Sequence, residues 1–109
     1  MDNVTHQLAD LLLAIEAEMR NLGLWEAQPP PADALESLIP FCHDTLHLEQ
    51  WLQWVFLVKM KQVVESGEDF PTSSDIEPLA EYRFEMLPQR TERLLELIGQ
   101  FDRFINRTP

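Results

Sequence analysis

The stretch Cys42-His43-Asp44-Thr45-Leu46-His47 gathers side chains that could ligate a metal or attack a substrate. His43 and His47 stand four apart, the spacing at which a helix aims two imidazoles at one zinc ion. A metal centre needs further ligands, and no second cluster with ligand spacing is found. The Glu-x-x-His repeat that di-metal bundles draw from two helices is absent, and Asp44-x-x-His47 occurs once. The two histidines are therefore read as boundary imidazoles, and no metal is assigned. Asp44 and Thr45 invite a reading as acid and nucleophile. Both residue types also accept hydrogen bonds from free N–H groups at a helix start, and a long apolar segment begins just after them. Capping is their expected role. Cys42, beside Phe41, reads as a small core residue.

Other constellations give no more chemistry. Glu77, Glu81 and Glu85 stack one turn apart, which reads as a solvated face. The three glycines are scattered, so no phosphate-cradling loop exists, and there is no Gly-x-Ser-x-Gly elbow. No catalytic residue and no cofactor is assigned. The alternative reading is a small-molecule or metal-dependent activity at the Asp44–His47 corner, in a pocket where Asp44, His47 and Gln53 would converge.

The elements that hold these residues are legible from composition and periodicity. The 109 residues carry 19 acids against 8 bases, a formal charge of −11, which repels phosphate backbones and argues against direct nucleic-acid binding. Length fits one domain over residues 1–109. A single cysteine points to a reducing, cytoplasmic setting. The longest apolar runs, Leu11 to Ile15 and Trp54 to Val58, are too short to span a membrane. Asp2 and Asp10 flank the first apolar residues where a secretory signal would be basic.

Val4, Leu8, Leu11, Leu12, Ile15, Met19 and Leu22 predict a first helix stopped by Gly23. Ala9, Leu13 and Ala17 form a thin second apolar strip on it, a seam for a weak homodimer. Residues 24–45, with Pro29-Pro30-Pro31, predict an extended strap. Trp25, Leu35, Leu38, Ile39 and Phe41 are its expected anchors, and Asp33 to Ser37 one short helical turn. Residues 46–65 are apolar nearly all round and predict a central helix surrounded by others and closed by Gly67, although three helices and one strap leave some of its surface accessible. Ser74 and Glu77 match a capping box for a third helix reaching about Leu87. Pro88 stops that helix and suits the first position of a fourth, whose Leu94, Leu95, Leu97, Ile98, Phe101, Phe104 and Ile105 share a face. The fold class is all-α, a four-helix bundle with a proline-rich strap between helices 1 and 2.

Trp51, Gln53 and Trp54 stand out within the central helix. Tryptophans in such a helix are mostly core, but a half-exposed one is a binding anchor. These residues also carry a resemblance. Pro40-Phe41-x-x-Asp44-Thr45-Leu46, followed by Trp51-Leu52-Gln53-Trp54-Val55, resembles the signature of the YqcC-like family of small bacterial proteins. The similarity spans nearly the whole chain, including the strap and the last helix. It implies an all-α, four-helix-bundle-like fold in the bacterial cytoplasm and no established activity. Members are often encoded beside a tRNA pseudouridine synthase, which points toward RNA modification. His43 and His47 lie outside the signature. Asp44, Thr45 and Gln53 match it, and the resemblance gives them no role.

The expected function is a non-enzymatic, acidic module that binds a protein partner, one with a basic surface. The expected contact is the strap–central-helix corner: Phe41, Asp44, Thr45, Trp51, Gln53 and Trp54, with Glu36, Asp44 and Glu49 as a negative rim that steers a basic partner.

Overall fold

Apolar residues at helical spacing do fold the first segment into α1 (Asn3–Asn21), and its Leu8, Leu12, Ile15 and Met19 are fully enclosed. Gly23, at φ +76°, ends it by a Schellman turn. The Gly23 N–H donates to the Arg20 carbonyl at 3.1 Å and the Leu24 N–H to Met19 at 2.9 Å. The computed structural model describes residues 3–107. It is all-α, with four helices and, among the described residues, no strand.

The central helix α2 is one continuous helix over residues 48–66 made of three parts: Leu48–Trp51, a π-helical turn Leu52–Phe56, and Leu57–Ser66. Gly67, at φ +75°, closes it. Helix α3 is Glu77–Phe84 and α4 is Glu92–Arg107. α1 packs on α4 and on the later part of α2, and α3 packs on α4. At the centre the Phe56 and Phe101 rings meet edge to face, 4.8 Å between centroids. Such aromatic contacts contribute about 1 kcal/mol beyond the area they bury. An ion network adds a surface tie between α1 and α2, with Glu16 taking Lys61 at 2.6 Å and Arg20 at 3.0 Å. The hydrogen bond from Lys61 leads the causes that hold the Glu16 carboxyl below its ordinary range.

The strap crosses between α1 and α2 as two short 3-10 turns, Ala32–Glu36 and Pro40–Cys42, joined by extended chain. Its first anchor is Trp25, covered by the Arg20 guanidinium at 4.4 Å from the ring. Phe41, its ring 4.8 Å from Trp51, is another. Leu38 and Ile39 are not anchors: they stand 98% and 50% exposed. The strap turns sharply after them, burying Cys42 and half-burying Phe41 while Leu38 and Ile39 both stay outside. Phe41 and Cys42 sit at φ +62° and +50°, a region side-chain-bearing residues enter at a cost of about 1–3 kcal/mol each. The buried thiol of Cys42 is accordingly a core group.

Four expected helix boundaries are corrected. Asp44 and Thr45 do not cap α2, because a bend at residues 43–46 comes first. The capping position is His47, whose N–H donates to Gln50 Oε1 at 2.9 Å. Ser74 and Glu77 form no capping box; Ile76 is the N-cap of α3, and the cap is supplied from α4. α3 ends at Phe84 rather than near Leu87, and Pro88 precedes α4 by several residues instead of opening it. As the shortage of covering elements predicts, α2 is not enclosed on all sides. Trp51, Trp54 and Val55 are half-buried and Val58 is exposed, because three helices and a strap cannot cover its whole circumference.

Candidate functional site

Trp51, Gln53 and Trp54 lie on α2 beside the strap residues Phe41, Asp44 and Thr45, and the faces of α2 do different work. On the strap side, Gln53 is 4% exposed and pairs with the backbone of Glu26. Its Oε1 accepts the Glu26 N–H at 2.8 Å, and its Nε2 donates to the Glu26 carbonyl at 2.8 Å. The Glu26 carboxylate in turn accepts the Trp54 indole N–H at 3.0 Å and the Gln50 amide at 3.4 Å. A peptide group that must leave water is thus satisfied by a side-chain amide of matching donor and acceptor pattern. Gln50, Gln53 and Trp54 are spaced along α2 so that all three reach one strap residue.

On the opposite side Trp51 points toward Phe41 and, at 5.5 Å, Phe56. These rings line a cleft of about 300 Å³ with Val55, Met60, Ile76 and Phe101; Lys59, Ser73 and Asp75 supply its polar edge. Phe41 also lines a neighbouring cleft of about 240 Å³ with His47, Leu79 and Tyr82. Its ring is the wall between the two. Gln53 and Trp54 open instead on a third cleft, of about 450 Å³, beside Arg20, Trp25 and Lys61. Phe41 and Trp51 are therefore brought together, Gln53 and Trp54 are brought together, and the two pairs face apart.

Asp44 and Thr45 hold the strap to itself. Asp44 Oδ1 accepts the Ser37 hydroxyl at 2.5 Å, and the Thr45 hydroxyl donates to the Ala34 carbonyl at 2.7 Å. His43 and His47 are exposed and do not share a helix, so their four-residue spacing does not converge. Among the described residues no three His, Cys, Asp or Glu side chains are grouped to hold a metal ion. Ala9 is half-buried on α1, while Leu13 (60% exposed) and Ala17 face solvent.

Two carboxylates are buried: Glu49, which was expected beside Glu36 and Asp44 on an acidic rim and is instead 8% exposed, and Asp102, which the sequence reading did not single out. Glu49 receives the Arg83 guanidinium in a two-pronged contact, Nε to Oε1 at 2.9 Å and Nη2 to Oε2 at 2.8 Å, tying α2 to α3. Burial pushes the Glu49 carboxyl up, but the Arg83 hydrogen bonds and charge, with a backbone N–H, outweigh it and hold the group below its ordinary range. Arg83 is raised, chiefly by the same hydrogen bonds. Asp102 takes the Ser74 hydroxyl at 2.6 Å, the Ile76 N–H at 3.0 Å and the Glu77 N–H at 2.7 Å. It lies four residues after Ile98 and three before Ile105, on the apolar face of α4, and that placement was the available signal.

No helix among the described residues is long and apolar enough to cross a membrane. No solved structure gives a significant match to the chain. Relatives are found by sequence. An uncharacterized protein of Haemophilus influenzae is 34% identical over 94 residues, covering 86% of this chain and 89% of the relative. The uncharacterized protein YqcC of Escherichia coli K12 is 32% identical over 95 residues, 85% and 87% of the two chains. A tRNA pseudouridine synthase C of Pectobacterium carotovorum is 38% identical over 68 residues, which is 62% of this chain but 18% of that longer protein. The profile of the DUF446 family, described as "tRNA pseudouridine synthase C", matches residues 7–104. With nearly its whole length matched, the chain belongs to the DUF446 family of YqcC-like proteins.

Proposed function

We propose that the chain is a protein-binding module that works in contact with a tRNA pseudouridine synthase and performs no chemistry of its own. The observation that carries this is the split in the relatives. A stretch related to this chain forms 18% of a Pectobacterium protein named tRNA pseudouridine synthase C. The Haemophilus and Escherichia relatives are matched over 89% and 87% of their own lengths. The same unit thus occurs joined to a synthase-named protein and as a chain of its own. Joining two units that must touch raises their effective concentration, while separate chains need an interface with affinity of its own.

Charge supports the pairing. An enzyme that holds tRNA carries a positive surface, and a chain at −11 is steered toward it. The apolar corner of Phe41 and Trp51 offers buried area for such a contact; Asp44, Thr45, Gln53 and Trp54 hold it in shape. The enzymatic alternative required Asp44, His47 and Gln53 to converge. His47 and Gln53 open on different clefts, and Asp44 is held by Ser37.

The test is calorimetric titration with purified full-length tRNA pseudouridine synthase C, taken from a bacterium in which the related domain is a separate chain. Saturable binding that weakens steeply as salt rises supports the proposal. Absence of binding at low and high salt alike refutes it.

A further inference from the structure

Residues 21–58 contain no lysine or arginine and five carboxylates, Glu26, Asp33, Glu36, Asp44 and Glu49. Glu26 and Glu49 are spent inside the fold, on Trp54 and on Arg83. Asp33, Glu36 and Asp44 are exposed and, among the described residues, form no ion pair. Between them stand Leu38 and Ile39, at 98% and 50% exposure. A single exposed leucine is ordinary. This pair is held outward. The Ser37 hydroxyl donates to Asp44 Oδ1 at 2.5 Å and accepts the Ile39 N–H at 3.1 Å. Thr45 fastens the same turn to Ala34 at 2.7 Å. Ile39 is fixed in extended backbone, as the residue before Pro40 must be, and Phe41 and Cys42 follow at positive φ. The signature residues Asp44 and Thr45 thus hold an aliphatic pair in water in one conformation.

We propose that Leu38 and Ile39 are a preorganised apolar anchor for a partner protein. It seats in an apolar pocket whose rim carries lysine and arginine, and Asp33, Glu36 and Asp44 meet that rim. Preorganisation lowers the ordering cost that a flexible strap would incur on binding. Three exposed carboxylates without a compensating cation select a basic rim over a neutral or acidic one. The identity of the partner as the synthase rests on the function proposed above; the anchor itself does not.

The experiment titrates the full chain, and its Leu38→Asp, Ile39→Asp and Leu38→Met variants, into full-length tRNA pseudouridine synthase C. Both residues lie in solvent, so melting temperatures should stay level across the set. Leu38→Asp should weaken binding by about 30-fold or more, as loss of a hot spot does, and Leu38→Met should bind like the parent. Asp33→Asn with Glu36→Gln should flatten the salt dependence. Parent-like binding by both aspartate variants overturns the anchor and leaves the synthase reading standing. If the synthase binds no form, that reading fails. Leu38→benzoylphenylalanine, photolysed in the host, then decides the anchor. A crosslinked protein that, once identified and purified, loses binding on Leu38→Asp upholds it; lack of such a protein overturns it. A parent dimer in sedimentation that dissolves on Leu38→Asp puts a second copy on the anchor and overturns the basic partner.

Discussion

Gln53 binds Glu26 as a neighbouring strand would, accepting from its N–H and donating to its carbonyl, both at 2.8 Å. Only an amide side chain offers that pair of groups. Gln53→Ala should cost about 2–4 kcal/mol, two buried hydrogen bonds plus their stranded backbone partners. Gln53→Glu should cost at least as much, since a carboxylate cannot donate to the Glu26 carbonyl. Urea melts give the energies. Limited proteolysis should show new cleavage within residues 24–45; an intact strap in Gln53→Ala would mean that Trp25 and Phe41 hold it alone.

Glu49 and Arg83 are expected to behave as a unit. Glu49→Ala leaves a half-buried guanidinium unpaired and should cost about 3–5 kcal/mol, while Glu49→Met with Arg83→Leu should cost far less. A double-mutant cycle by chemical denaturation measures the coupling.

The same pair sets a pH dependence. The folded Glu49 carboxyl lies below its unfolded value of 4.5, so the folded state favours its charged form. Its contribution is fully present above pH 4.5 and is lost as pH falls through the lowered folded value. Between pH 5 and pH 3, roughly the carboxylate range, stability should fall less in Glu49→Gln than in the parent. Equal slopes in the two proteins would remove Glu49 from the acid response.

Asp102 caps α3 from another helix. Asp102→Ala strands two N–H groups and a hydroxyl and should cost about 3 kcal/mol; Asp102→Asn, which keeps one acceptor oxygen, should cost less. Hydrogen exchange should rise first at the amides of residues 76–80.

Gly99→Ala is expected to be neutral or stabilising, although the site is buried. An added Cβ would lie 2.5 Å from Glu77 Oε2, the far end of a flexible side chain that can move aside. The loosened Glu77–Arg103 contact, 3.7 Å and largely exposed, is worth little. Alanine gains up to about 1 kcal/mol in a helix interior. A melting temperature several degrees lower would show that Glu77 is fixed more firmly than its contacts imply.

The fold was legible where a local pattern decides the outcome. The periodicities of α1 and α4 and the glycines at 23 and 67 act within one or two turns of chain, and the helices formed there. What could not be read was settled across the sequence. Ser74 lost its capping role because Asp102, distant in sequence, presents two oxygens to the same N–H groups. Asp44 and Thr45 kept their talent for binding backbone and neighbouring hydroxyls but spent it on Ala34 and Ser37 instead of on α2. Leu38 and Ile39 looked like anchors because hydropathy cannot tell which residues of a bent strap face inward. Gln53 was noticed for standing polar among apolar neighbours. Its partner lay in the strap, where no periodicity points.

The π-helical turn at Leu52–Phe56 gears the two halves of α2 to each other. It holds one more residue than a regular turn, and one residue of a helix is about 100° of rotation. Upstream of it Glu49 must face Arg83, and downstream Met60 and Val63 must face the core. Winding the same residues regularly would swing one set out of phase with the other by about a quarter turn, whereas removing one residue as the turn becomes regular would leave both sets in phase. Substitution in this segment is a question of side chains, but its length is a question of clockwork. The strap can tolerate an added proline far more readily than α2 can tolerate a tightening of this turn at its present length.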